Sequence, residues 1–441
     1  MNFSKLKKEA LKAGITEIEV YEVTSNGIDI SMFNGVVENN SSAQTKACAI
    51  RGVYNNQIVM VYEEDCSDER IPSVIERIKD NCSIKNQKDP FFIYAGDENY
   101  PVLPEKKHDF DSYSLEDKVE ICSKLSKLLK EASPYVQMTE VSYSENEESV
   151  SIINSNGLDV SRHGRFAFLV AEAICVKDGE TKTGFDYIRL DNLKGIDLET
   201  FATSVVEDTI STFGAESIPS GAYPVVLDKK VVSSLIGAFS NVFSADAVLK
   251  NMSFLKDKLG ENVFGSNITL IDDPLYMDAP SQDAFDDEGV SGHTKAVIEN
   301  GKLNTYLHNL KTAAMMNVKS TGNGYKSGLQ GSVGVRPSNM YLKAGDTSLD
   351  DMFKNIENGV YITSITGLHA GLNPVSGSFN LQSSGMLIEN GKKTKPVTLI
   401  ILSGTLQELL NNVVYVGNDF EFKRGVGAPS LAVKSMAISG K

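Results

Sequence analysis

The sequence predicts an α+β protein, with an N-terminal antiparallel sheet carrying helices on one face and a β-rich C-terminal domain of many short strands. Three observations carry that prediction. Period-two alternation recurs between residues 18 and 62 and again between 136 and 188, which is the signature of strands with one face buried. Helical periodicity is confined to a few short segments set between those runs. From about Ser220 glycine becomes frequent, cysteine vanishes, and short strands alternate with turns containing Gly and Asn. The change of texture divides the chain into domains over 1–218 and 219–441, with a connector over about 83–111 that holds Pro90, Pro101 and Pro104 among charged residues.

In order, Phe3–Lys12 reads as a first helix. Ile18–Val23 and Ile28–Met32 read as strands joined across Asn26-Gly27, because both residues of an Asn-Gly pair tolerate positive φ in a tight hairpin. Thr45–Val53 and Gln57–Tyr62 follow, turning at Asn55-Asn56. The next helix runs from Pro72 to Asp80, with Ile71, Val74, Ile75 and Ile78 on one side. Ser114 caps an amphipathic helix with Asp117 three positions on, the spacing of a capping box, and its apolar face is Leu115, Val119, Cys122, Leu125 and Leu129. Strands return at Val136–Ser144, Ser149–Asn154, Leu158–His163, Phe166–Val176 and Glu180–Ile188, with turns at Glu145–Glu148, Asn154–Gly157 and Asp178-Gly179. A helix over Leu198–Phe213 closes this half. The second half shows helices at Val231–Phe243, Leu349–Glu357 and Leu406–Asn412. Its short strands fall at Tyr223–Leu227, Ile268–Ile271, Lys295–Glu299, Leu303–Tyr306, Met340–Lys343, Tyr361–Ile365, Met386–Glu389 and Thr398–Ser403.

A chain of 441 residues buries enough surface to fold without disulfides or structural metal. The formal net charge of −15, with no run of Lys or Arg longer than a pair, argues against binding nucleic acid, whose affinity comes from cations displacing counterions. The five cysteines, Cys48, Cys66, Cys82, Cys122 and Cys175, are odd in number and form no CxxC, so a reducing, cytoplasmic compartment is expected. The opening residues lack the apolar core of a secretion signal, and Phe166–Val176, interrupted by Glu172, is too short to span a bilayer.

Hydrolytic zinc sites take two His from one helix, a neighbouring Glu as general base and a third ligand from elsewhere. The histidines here are His108, His163, His293, His308 and His369, and no helix places two of them on one face. Asp286-Asp287-Glu288-Gly289, with His293 close behind, reads either as a carboxylate site for a hard cation or as a solvated turn. Ser320-Thr321-Gly322-Asn323-Gly324 reads as a tight turn or as a loop offering backbone N–H groups to a carbonyl. It matches neither the P-loop nor the serine-hydrolase elbow. Gly367–Asn380, GLHAGLNPVSGSFN, is a dense loop suited to binding or to a crossover between sheets.

These same segments, together with IENGKLNTYLHN at Ile298–Asn309, LIENGKKTKPV at Leu387–Val397, VGNDFEF at Val416–Phe422 and GAPSLAVKSMAISG at Gly427–Gly440, resemble the TldD/PmbA family, formerly "modulator of DNA gyrase" and now regarded as metallopeptidases. They lie in order and cover almost the whole second half, while the first half agrees through its strand pattern and Ala49-Ile50-Arg51-Gly52. In that family the TldD-type subunit carries HExxxH on the helix early in the C-terminal domain and a Cys shortly after the V-G-N-D stretch. Here Val231–Phe243 holds no His, Glu or Asp, and Phe420–Gly427 holds no Cys, while Pro429-Ser430 looks like the PmbA (TldE) type. The resemblance therefore implies no catalytic or metal-binding residue in this chain. It implies a TldD-like partner that brings zinc, in a heterodimer or else a homodimer, acting on unfolded or extended peptides. Gly322, Asn323, His369 and Asn373 are the candidates for lining a peptide cleft. Two alternatives stand beside this reading: a self-sufficient hydrolase using Asp286, Asp287 or Thr321, and a peptide-binding regulatory homodimer without catalysis.

Overall fold

The computed structural model describes residues 1–441 except Gln87, Pro280 and Arg424, so one residue of the expected connector and one of the stretch after V-G-N-D lie outside the described residues. The chain forms two compact units, one of residues 1–85, 104–155 and 159–214 and the other of residues 86–103, 156–158 and 215–441.

The first unit begins with α1 (Phe3–Lys12), whose first turn is closed by the Asn2 side chain accepting from the Lys5 N–H. There follow β1 (Glu17–Phe33), β2 (Val36–Tyr54), β3 (Gln57–Glu63), α2 (Ile71–Ile84), α3 (Leu115–Ala132), β4 (Val136–Asn154), β5 (Asp159–Lys177), β6 (Glu180–Leu190) and α4 (Leu198–Ile210). The strands make an antiparallel sheet in the order β3-β2-β1-β4-β5-β6. Ile18, Val20, Ile30 and Met32 alternate along β1 onto one face. Val20 lies opposite Ile50, and Ile30 opposite Tyr143, so the apolar residues of neighbouring strands share that face. Two apolar clusters form on it. One is built by α1 and α2 over β1–β3, the other by α3 and α4 over β1, β4 and β5. The capping box at Ser114 and Asp117 forms as the spacing requires.

Strand lengths differ from expectation. Asn26-Gly27 is not a hairpin but lies within β1, paired to Gln44 and Ala43 on one side and to Glu147 and Asn146 on the other. The hairpin uses the next Asn-Gly, Asn34 at φ 50° and Gly35 at φ 81°. Glu145–Glu148 likewise continues β4, and Leu158–His163 and Phe166–Val176 merge into β5. Asn55-Asn56 and Asp178-Gly179 do turn with positive φ.

The second unit contains, among the described residues, β7 (Gly221–Leu227), α5 (Lys229–Phe239), α6 (Ala245–Leu249), β8 (Leu270–Asp272), β9 (Lys295–Glu299), β10 (Lys302–Leu303), α7 (Leu310–Met316), β11 (Gly324–Lys326), β12 (Val333–Val335) and β13 (Met340–Leu342). It continues with α8 (Leu349–Ile356), β14 (Gly359–Thr366), β15 (Leu372–Asn373), β16 (Ser378–Glu389), β17 (Lys392–Thr405), α9 (Leu406–Asn411), β18 (Val413–Val416), β19 (Glu421–Lys423), β20 (Val426–Ala428) and β21 (Leu431–Ser439). The larger sheet runs β14-β7-β21-β17-β16-β15 with β18 on β21, and β14 also pairs with β16, so five strands close into a ring. A second sheet runs β10-β9-β8-β13-β20-β19, and β11 with β12 forms a separate hairpin. One apolar core joins both sheets through α5. The strand expected at Leu303–Tyr306 stops at Leu303, because Tyr306 turns inward and donates its hydroxyl to the Leu255 carbonyl at 2.7 Å. Among the described residues no helix is long and apolar enough to cross a membrane.

Candidate functional site

The helix that would have to carry a metal is α5. Asp228 caps it, accepting from the Lys230 N–H at 2.8 Å and from the Tyr361 hydroxyl. The Lys229 N–H donates to Ser430 Oγ at 3.2 Å, and that hydroxyl donates in turn to Asp419 Oδ2 at 2.7 Å. Lys229 Nζ reaches Glu421 Oε2 at 2.7 Å. These contacts bring the V-G-N-D-F-E-F stretch and Ser430 onto the helix N-terminus, and α5 packs along β20 and β19. The fold therefore sets side by side the helix and the strand that the TldD-type pattern supplies with ligands. The residues at their contact do not fit a zinc ion. Val231, Val232, Leu235, Ile236 and Phe239 are buried and belong to the core. Asp419 and Glu421 are engaged by Ser430 and Lys229. Among the described residues no three His, Cys, Asp or Glu side chains stand close enough to share a metal.

The acidic turn after β8 is buried rather than solvated. Asp286 Oδ1 accepts from the Glu288 and Val290 amides, both at 3.0 Å, and Oδ2 accepts from the Gly324 amide at 2.7 Å. Asp287 Oδ2 accepts from Lys326 N at 2.8 Å, and Glu288 Oε2 from Leu310 N at 2.7 Å. The three carboxylates thus tie the turn to β11 and to the start of α7. Burial, with the Glu288 charge beside it, pushes the Asp286 carboxyl up to about 8 against the pull of the amides. His293 is exposed, with Nδ1 3.5 Å from the Ser291 carbonyl, and does not join them. Asp97 and Tyr100 reach the same turn: Tyr100 donates to the Gly289 carbonyl at 2.6 Å and the Ser291 amide donates to Asp97 at 2.8 Å.

Of the four cleft candidates, Gly322 and Asn323 fall in one buried network. Gly322 sits at φ 68°, where a Cβ would lie 2.9 Å from the Ser291 carbonyl oxygen, so both backbone and space demand glycine. Asn323 is fully buried. Its amide nitrogen donates to Asp272 Oδ2 at 2.7 Å and to the Arg336 carbonyl at 3.1 Å, and its oxygen accepts from Thr321 Oγ1 at 2.7 Å. Asp272 is the hub, bound also by Lys295 Nζ at 3.0 Å and by the Ser338 amide and hydroxyl at 2.7 and 2.9 Å. His308 closes the network: its N–H donates to Thr321 Oγ1 at 2.7 Å and its carbonyl accepts from the Asn323 amide. Its ring Nδ1 is buried without a hydrogen-bond partner among the described residues, and burial drives the imidazole down to about 4. His369 is exposed on the loop after β14, and Asn373 is exposed at the end of the short strand β15. Asn373 Oδ1 accepts from the Val375 and Ser376 amides, which shapes the turn.

Sequence reasoning did not find Asp272, Lys295 or Ser338 as partners of Asn323. The only sequence signal is a pair of acids, Asp272-Asp273, ending an apolar strand. It also missed four half-buried rings, Tyr276, Tyr341, Phe420 and Phe422, which meet at centroid separations from 5.1 to 6.3 Å around the outer strand β19. The alternation of Phe420 and Phe422 marks two of them. An open cleft of about 300 Å³ lined by Asn267, Thr269, Asn300, Lys343, Asp346 and Tyr415 shares no residue with these networks.

Comparison with known proteins gives a consistent picture. Residues 220–440 match the PmbA/TldA metallopeptidase C-terminal domain, 108–212 its central domain and 18–82 its domain 1. A metalloprotease of Methanocaldococcus jannaschii is 28% identical over 439 residues, covering 96% of this chain and 94% of its own. The metalloprotease PmbA of Escherichia coli O157:H7 is 23% identical over 443 residues, covering 98% and 93%. A crystal structure from Thermotoga maritima MSB8, described as a modulator of a DNA gyrase, is similar with a TM-score of 0.91 at 30% identity over 99% of this chain and 100% of that one. TldE from Thermococcus kodakarensis shares the fold with a TM-score of 0.90 at 22% identity over 99% and 100%.

Proposed function

Since the chain belongs to the PmbA/TldD metallopeptidase family, we propose that it is the PmbA/TldE-type subunit of a peptidase, without a metal centre of its own. A TldD-like chain supplies zinc, general base and the Cys ligand. This chain supplies part of the wall along which an unfolded or extended peptide lies. The observation that carries the reading is α5: the helix is capped and packed against β19 and β20, yet its buried residues are Val231, Val232, Ser233, Leu235, Ile236 and Phe239, with no His, Cys, Asp or Glu among them. Without three donors no bound water is brought near neutrality as a nucleophile.

For the peptide, β19 is the outermost strand of its sheet and stands beside the four aromatic rings. Pairing along such an edge is made through the backbone, with rings covering apolar side chains, and so accepts many sequences. His369 and Asn373, both exposed, are the side chains taken as candidates for touching the peptide.

The test uses the full chain alone, a TldD-like chain alone and the two mixed, each assayed on an unfolded peptide. Cleavage by the mixture only, lost on chelation, is the expected result. Cleavage by this chain alone that a chelator abolishes would overturn the proposal. Alanine at His369 or Asn373 should raise KM in the mixture several-fold and leave folding unchanged.

A further inference from the structure

Cys48 and Cys66 pack at the α1/α2 apolar cluster, and the proposed function makes no use of their thiols. Cys48 lies in β2, fully buried and opposite Glu63 of β3. Cys66 follows three residues after Glu63, in the turn leading to α2, and is part-exposed. Their Sγ atoms are 2.9 Å apart, both as free thiols. Two unbonded sulfurs normally rest roughly 3.6 Å or more apart, whereas a disulfide needs about 2.05 Å, so less than an ångström of movement separates contact from bond. The turn can supply that movement, since Cys66 is part-exposed at the rim of the α1/α2 cluster and its other polar contact among the described residues is the Glu63 carbonyl, at 3.9 Å. The ion pair Lys46–Glu22, at 2.8 Å, lies beside the two sulfurs. The remaining thiols, Cys82, Cys122 and Cys175, are buried, and none has a second cysteine as a described partner.

We propose that Cys48 and Cys66 form a reversible disulfide, closed by a low-molecular-weight disulfide such as oxidised glutathione. The Cys66 thiolate attacks one sulfur of glutathione disulfide, forming a mixed disulfide and releasing one glutathione thiolate. The Cys48 thiolate then attacks the Cys66 sulfur, forming the protein disulfide and expelling the second. Two protein thiols are oxidised, one glutathione disulfide is reduced, and the two protons go to solvent or to the released thiolates. Cys66 goes first because it is the part-exposed sulfur of the two, and Cys48 resolves because it is already in contact. The bond staples β2 to the turn after β3. That turn carries Asp68, which accepts from the Asn2 N–H at 2.7 Å and pairs with Lys5, so oxidation also fastens the start of α1.

The full chain is incubated with glutathione disulfide, alkylated and mapped by mass spectrometry without reduction. The expected product is one Cys48–Cys66 crosslink, lighter by the mass of two hydrogens, with Cys82, Cys122 and Cys175 still alkylated and with a raised Tm that thiol reductants reverse. Cys48→Ala is expected to stop at the glutathione adduct on Cys66, and Cys66→Ser to remain unmodified. The second variant alters the part-exposed site and keeps the test open should the buried change impair folding. A wild-type chain whose Cys66 resists the reagent, or that accumulates the Cys66 adduct with Cys48 alkylated, or that crosslinks another pair would overturn the proposal.

Discussion

Replacing Asp272 by Ala tests whether the Asn323 loop is held by one buried carboxylate. Asp272 is fully buried and receives Lys295 Nζ, Asn323 Nδ2 and both the amide and hydroxyl of Ser338. Removing it leaves Lys295, only 9% exposed, as an uncompensated buried ammonium, which costs about 3–5 kcal/mol. The Ser338 N–H and the Asn323 amide each lose an acceptor, at about 1–3 kcal/mol apiece where water cannot replace it. These groups share one site and do not add fully. A net loss of about 4–6 kcal/mol is expected, a large part of the roughly 5–15 kcal/mol that holds an ordinary domain together. Urea unfolding followed by circular dichroism measures it. The double variant Asp272→Ala/Lys295→Met removes both charges and should recover at least about 2 kcal/mol of that loss, as a buried pair requires. A loss under about 1 kcal/mol in the single variant, or purely additive costs in the double, would refute the reasoning.

Three further outcomes follow from the same structure. Glu145 is buried and accepts from Lys118 at 2.6 Å, from Tyr143 at 2.6 Å and from Arg165 at 2.7 Å. Glu145→Ala should therefore cost about 3–5 kcal/mol in urea melts, and Lys118→Met in the same chain should restore part of it. His308, depressed to about 4 by burial, folds as the neutral ring. Its contribution is complete above the unfolded value near 6.5 and is lost as pH falls toward 4, by about 3 kcal/mol in all. His308→Gln should flatten the acid limb of a Tm-versus-pH curve. A Cβ at Gly52 would lie 2.7 Å from Cγ2 of Ile78 on α2, so Gly52→Ala should destabilise by about 1–3 kcal/mol, and Ile78→Ala should make the second change less costly than it is alone.

The sequence disclosed those elements whose burial alternates. α3 with its capping box, α2, β3 and the Asn55-Asn56 turn lie where apolar residues face a core on one side only. It misread β1, β4 and β5, because their middle stretches carry residues such as Ser25, Asn26, Glu147, Ser149 and Gly164 that look like turns. β2 from Val36 to Lys46 is exposed throughout and offers no alternation at all. Of these two Asn-Gly pairs only tertiary pairing decides which one turns: Asn26-Gly27 sits within the ladder with a strand on each side, and Asn34-Gly35 falls between β1 and β2 at positive φ. At the candidate site, the missing donors of α5 were legible because identity alone settles them. The Asp272 hub was not, since it joins residues from β8, β9, the turn before β11 and the turn before β13, which nothing local connects.

The ring of β14, β7, β21, β17 and β16 has a bearing on how the molecule comes into being. β7 is the first strand of its unit to leave the ribosome, and β21, its antiparallel neighbour, is the last. Until β21 emerges, β7 and β17 each lack the strand that lies between them, and the apolar side chains of Val225, Leu227 and Leu402 have no finished interior to enter. The ring therefore cannot close before β21 is made, and its apolar edges stay bare until then. A lesion near Leu431 would then be felt first as poor yield from the cell.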